Sequence, residues 1–144
     1  MDGKSTLFRS ENIDFCTDCP APEEYYKLFL TTDWNDEYCF TKEEIERSIR
    51  NIWYTISAYA GEELIGSGSI LSDGIHHALI VNMIVHPDYQ NKGIGTTILR
   101  LLVKKCRECK IRDIQLFAVE NKCEFYKKFG FVARPYNAPG MQFK

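Results

Sequence analysis

The sequence predicts a mixed α/β fold, with about six or seven strands and about four helices in one domain spanning residues 1–144. Three observations lead there. A strand over residues 76–85, almost wholly apolar from Ala78, runs through a polar turn into a long amphipathic helix. That helix opens after Gly93 and carries Ile94, Ile98, Leu101, Leu102, Cys106 and Cys109 along one stripe. A further apolar strand, residues 114–119, follows it, and a strand–helix–strand crossover of this length implies parallel pairing. Upstream, residues 54–60 and 64–71 flank Gly61-Glu62-Glu63 as a hairpin, which is antiparallel.

The remaining elements follow in chain order. Residues 10–15 carry a weak signal for a first strand. Pro20-Ala21-Pro22 followed by Glu23 and Glu24 is a helix start, with Tyr25, Leu28 and Phe29 at helical spacing after it. The polar run from Asp33 to Asp36 ends that helix. Thr41-Lys42-Glu43-Glu44 is a capping box, and Ile45, Ile49 and Ile52 form the apolar face of a second helix. Ser72-Asp73-Gly74 turns into the 76–85 strand, whose apolar run predicts burial on both faces. Residues 122–129 form a short helix stopped by Gly130, and residues 131–133 and 141–143 are expected as closing strands.

Composition excludes several function classes. With 44% apolar and 26% charged residues, the 144-residue chain is a globular protein rather than a disordered one. A net charge of −2 gives no general attraction to nucleic acid. The apolar runs are too short to span a bilayer, and MDGKSTLFRS has no apolar core of the kind a secretory leader needs. Six cysteines in that setting point to free thiols and a reducing, cytoplasmic location. Cys16-x-x-Cys19 and Cys106-x-x-Cys109 have the spacing of zinc half-sites, but the second pair lies on a buried stripe. No metal site is expected.

The turn between strand and long helix carries the chemistry. Gly93 and Gly95 let the backbone approach a ligand closely, and the first amides of a helix lack intrahelical partners. With the helix dipole they make a site for a phosphate or pyrophosphate; a tight turn without a ligand is the plainer alternative.

Two motifs give the chain a resemblance to the GNAT superfamily of N-acetyltransferases. Gln90-Asn91-Lys92-Gly93-Ile94-Gly95 resembles that family's Q/R-x-x-G-x-G/A pyrophosphate loop. Phe125-Tyr126-Lys127-Lys128-Phe129-Gly130-Phe131 resembles its F-Y-x-x-x-G-F element. The resemblance implies a twisted central mixed sheet, acetyl-CoA as donor and a primary amine of a small molecule as acceptor, attacked directly in a ternary complex. A protein lysine or N-terminal amine is the alternative acceptor, and a CoA-binding module without turnover is the alternative class. By the same resemblance, Gln90, Asn91, Lys92, Gly93, Ile94, Gly95 and Thr96 hold the pyrophosphate. The backbone of Met83, Ile84 and Val85 lines the pantetheine arm, and Tyr126 is the general acid. Small members of the family often pair, so a homodimer is expected.

The chain departs from the family at Asn121. The asparagine that contacts CoA in many members stands seven residues before the tyrosine, where this chain has Val119. The base that deprotonates the amine stays open between Glu120, Asp73, His76, His77, His86 and a water relay; Asn82 cannot serve. Cys123 lies near the expected thioester path as a thiol open to alkylation. Tyr25, Tyr26, Trp34, Tyr38 and Phe40 either wall an acceptor pocket or fill the core.

Overall fold

In the computed structural model, which describes residues 4–144, six strands form one sheet ordered as they occur in the chain. They are β1 (Thr6–Ser10), β2 (Ile13–Cys16), β3 (Tyr54–Ala60), β4 (Glu63–Ser72), β5 (His77–Val85) and β6 (Asp113–Leu116). The first five pair antiparallel and β5 pairs with β6 in parallel, so the sheet is mixed as the crossover requires. Residues 1–3, the start of the stretch tested above for a leader, lie outside the described residues.

Three helices connect β2 to β3: α1 (Pro22–Phe29), the single turn α2 (Asn35–Tyr38) and α3 (Lys42–Arg50). The α3 start is the capping box expected from sequence. Glu44 N–H donates to Thr41 Oγ1 at 3.2 Å, and Thr41 N–H donates to the Glu44 carboxylate at 2.8 Å. The crossover helix α4 (Ile94–Glu108) links β5 to β6, and α5 (Cys123–Lys127) follows β6.

The sheet carries an apolar core on each face. On one side, Ile56, Ala58, Ile65, Ile70 and Ile80 meet Ile98, Leu99 and Leu102 of α4. On the other, Cys16, Tyr59, Leu64 and Ile84 meet Tyr25, Leu28, Ile45 and Ile49 of α1 and α3. β5 therefore serves both cores, which accounts for its apolar run.

A one-residue bulge governs how β5 does this. Ser67 pairs with Ile84 but Ser69 pairs with Val81, so β5 spends three residues where β4 spends two. Asn82, at φ +56°, marks the extra residue. The bulge inverts the alternation. Ala78 and Ile80 face α4 before it, whereas Met83 and Val85 pack on that side after it and Ile84 turns to the other core.

Four sequence expectations are corrected. The predicted strand over residues 10–15 crosses a hairpin turn: Glu11 and Asn12 both have positive φ, and strands lie on either side. On α4, Ile94, Ile98, Leu102 and Cys106 are buried as expected, but Leu99 joins them, while Leu101 and Cys109 are half-buried. The stripe turns by about 100° per residue, so 94, 98, 102 and 106 drift toward 99. Residues 114–119 pair only as far as Leu116. Residues 131–133 and 141–143 form no strand; the tail leaves Val132, Tyr136, Met141 and Phe143 exposed and reaches α2, where Gln142 Nε2 donates to the Tyr38 hydroxyl at 3.1 Å.

Candidate active site

β5 ends at Val85, and Pro87–Tyr89 make one 3-10 turn, capped where Asp88 N–H donates to His86 Nδ1 at 3.1 Å. Gln90 folds back, its side-chain amide donating to Val85 O at 3.0 Å. Asn91 and Gly93 take positive φ, +62° and +80°, so the chain swings round into α4. The first helical bond is Thr97 N–H to Gly93 O at 3.0 Å. Among the described residues, the amides of Asn91, Lys92, Gly93, Ile94, Gly95 and Thr96 donate to no protein acceptor, and no acidic side chain occupies the first turn of α4. Six free donors beside the positive end of a 15-residue helix dipole form an anion cradle. A Cβ on Gly93 would meet nothing within 4 Å, so the space beside this backbone is open to a ligand. Lys92 leans over the Tyr89 ring, its Nζ 5.4 Å from the centroid.

The cradle continues into an open strand edge. β6 pairs with β5 only up to Ile80 opposite Leu116, so residues 81–85 have no neighbour on that side. His86 N–H donates to Ile65 O at 2.8 Å, which makes Gly66 and Val85 a pair without mutual bonds. The Val85 N–H therefore points away from β4, toward the free edge. Met83 and Val85 pack their side chains on the α4 core and Ile84 on the other.

α5 carries Tyr126 next to Phe125, whose side chain reaches the start of α4. The Phe125 ring lies across the first turn of α4, where a Cβ on Gly95 would be 3.9 Å from Phe125 Cζ. Tyr126 packs edge-on between Phe125 and Phe131, with ring centroids 5.1 and 6.2 Å away. Burial pushes its phenol above the ordinary value of 10. Its hydroxyl is not among the buried side-chain polar atoms without a partner, which among the described residues are the Ser57 and Ser67 hydroxyls. The ring lines a cleft of about 610 Å³ between α4, β6, α5 and the tail, and Cys123 lines it too.

The base candidates separate. Asp73 lies in the β4–β5 turn, its carboxylate accepting from the amides of Ile75, His76 and His77, which hold it below the usual carboxylate range. With His76 and His77 it stands at the far end of β5 from Val85, about 26 Å away for eight strand steps. Those three are not brought to the site. His86 is beside it but caps the 3-10 turn, and Glu120 is on the exposed loop after β6. Asn121 is in that loop at φ +64°. Tyr25, Tyr26 and Trp34 belong to the core under α1, whereas Tyr38 and Phe40 are exposed and stacked at 5.6 Å. Cys106 is sealed in the core and Cys19 is exposed; all six cysteines are unpaired. Sequence reasoning missed the Asn82 bulge and the Phe125 contact. An asparagine within an otherwise apolar strand was the available signal for the first.

A run of unpartnered helix-opening amides is thus continuous with the edge that β5 leaves unpaired beyond Ile80. The chain belongs to the acetyltransferase (GNAT) family, whose model matches residues 15–131. An uncharacterized N-acetyltransferase, ycf52, of Pyropia yezoensis is 35% identical over 82 residues, covering 57% of this chain and 47% of that protein. The chain spans about half the length of such curated relatives. The L-amino acid N-acyltransferase MnaT of Escherichia coli is 25% identical over 135 residues, 80% of this chain and 74% of that one. A solved probable acetyltransferase from meticillin-resistant Staphylococcus aureus superposes with a TM-score of 0.77 at 26% identity, covering 92% of this chain and 98% of the other.

Proposed function

We propose that this protein transfers the acetyl group of acetyl-CoA to a primary amine of a small molecule, by direct attack while both are bound. The observation that carries this is the run of six unpartnered amides, Asn91 to Thr96, opening into the unpaired edge of β5. The donor set fits the ligand: backbone N–H groups for a pyrophosphate, then a strand edge for an amide-bearing arm. Bound there, acetyl-CoA would supply the activated acetyl group.

The chain's own residues do the rest. The cradle, with Gln90 bracing Val85 and Lys92 adding charge, binds and orients. The outward Val85 N–H offers a fixed dipole to an oxygen that gains negative charge. The Tyr126 hydroxyl holds a proton for the departing sulfur, and its raised pKa keeps it protonated at neutral pH. Proton removal from the amine passes to water, His86 or Glu120. The coverage shared with MnaT supports a small acceptor. Six unpaired thiols support a reducing, cytoplasmic setting.

The test is an acetylation screen over amino acids, other small amines and peptides, with acetyl-CoA affinity measured in parallel. Turnover of a small amine is expected. Acetyl-CoA binding without any turnover would leave a binding module, and turnover of peptides alone would move the acceptor to protein.

We also infer a homodimer, supported by the exposed apolar side chains of the tail, Val132, Met141 and Phe143. Light scattering that finds only monomer at micromolar concentration counts against it.

A further inference from the structure

The end of the sheet remote from the acetyl-transfer site holds a second cluster of chemistry-bearing side chains. His76, His77 and Asp113 each place one ligand-type atom so that all three lie within 4.8 Å of one another. Two separate segments supply them: the turn entering β5, and the first residue of β6. His77 and Asp113 face each other in the parallel ladder. His76 precedes the strand, in a bend, so the strand's alternation does not send it to the opposite face.

The cluster is organised from behind. The Asp73 carboxylate accepts from the amides of Ile75, His76 and His77 at 2.9, 2.8 and 3.2 Å, which fixes the backbone carrying both imidazoles. The two rings stack at 3.7 Å. Gln115 Nε2 donates to Asp113 Oδ1 at 2.9 Å, turning the other oxygen to His77 Nδ1 at 2.7 Å. An ion pair accounts for His77 and Asp113 alone. It gives no reason for a ring nitrogen of the second imidazole to stand within 4.8 Å of both. Ligands held by hydrogen bonds to a further layer of residues are the pattern of a metal site.

We infer that His76, His77 and Asp113 form a surface site for one divalent transition-metal ion. Two imidazoles and one carboxylate suit zinc, nickel or copper rather than magnesium or calcium. Ligands at about 2.05 Å from a tetrahedral ion stand about 3.3 Å apart, so the 2.7 Å His77–Asp113 contact opens by roughly half an ångström on binding. Exposed side chains can make that rotation. A recess of about 260 Å³, lined by Ser72, His77, Asp113 and Gln115, leaves room for water in the remaining position. The ion ties the β4–β5 turn to β6, at the opposite end of β5 from Val85, and so takes no part in acetyl transfer.

Nickel is the probe. Calorimetry on the full chain should find one Ni²⁺ per molecule, with affinity at least tenfold weaker in His77→Ala and in Asp113→Asn. Protein whose thiols have been alkylated should bind as the untreated protein does. Unchanged affinity in His77→Ala, absence of binding, or loss on thiol alkylation alone overturns the site. A second measurement uses only the wild-type chain and so does not depend on any variant folding. Cu²⁺ should broaden amide NMR signals first at residues 75–77 and 113–115. Broadening centred elsewhere overturns the assignment.

Discussion

Tyr126, with 9% of its surface exposed between Phe125 and Phe131, is a core residue by packing and the proposed acid by position. Tyr126→Phe separates the two roles, because it keeps the ring and removes only the hydroxyl. The expected result is a kcat lower by roughly 10²–10⁴-fold with acetyl-CoA affinity intact, since the proton is needed only as charge develops on sulfur. Steady-state kinetics at saturating acetyl-CoA measure it, and a wild-type kcat would remove the acid role. A neighbouring contrast tests the cradle. Gly93 sits at φ +80°, so any side chain there strains the backbone before it meets a ligand. Gly95 is helical, and its added Cβ would make only ordinary contacts, 3.6 Å to Val85 and 3.9 Å to Phe125. Gly95→Ala, which adds only that Cβ, is therefore the cleaner probe. It should keep the fold and weaken acetyl-CoA binding at least tenfold by calorimetry, and equal affinity would remove the cradle from the binding site.

At the scale of elements, the β5 bulge sets which groups reach the open edge. Asn82 holds it at φ +56°, a conformation asparagine tolerates and β-branched residues resist. Asn82→Val should cost about 1–2 kcal/mol in urea denaturation, while Asn82→Gly should leave the bulge in place. If the bulge aims the Val85 N–H, the valine variant also loses acetyl-CoA affinity and the glycine variant does not; equal loss in both would detach the bulge from the site. The elements that were legible in the sequence are those with local signals. The α3 capping box, the β3–β4 hairpin and the strand–turn–helix at Gly93 each declare themselves within a few residues. The Asn82 bulge is one residue whose effect appears only against β4. The tail's apolar triplets read as strands, but a strand exists only through a partner; β6 stops at Leu116, and Pro135 and Pro139 interrupt the segment between them. The His76–His77–Asp113 cluster was invisible for a similar reason, since the parallel register joins residues more than thirty positions apart.

Across the whole molecule, the two cores are sealed partly by tyrosines, and that choice sets the alkaline limit of the fold. Burial pushes Tyr25 up to about 12 and raises Tyr59 and Tyr126 as well. In the unfolded chain each would ionise near 10. Above that pH the unfolded state releases protons that the native state retains, so the slope of unfolding free energy with pH is negative. The tyrosine contribution is thus complete below about pH 10 and is lost as pH climbs through the raised native values. For Tyr25 alone a shift of about two units corresponds to on the order of 2–3 kcal/mol. Urea denaturation followed from pH 8 to pH 12 should show a plateau and then a fall beginning near 10. Tyr25→Phe should flatten that fall while costing little at neutral pH, because the ring still fills the space between α1 and the sheet. A Tyr25→Phe protein that loses stability between pH 10 and 12 as steeply as the wild type would show that this phenol is not held from ionising by its burial under α1.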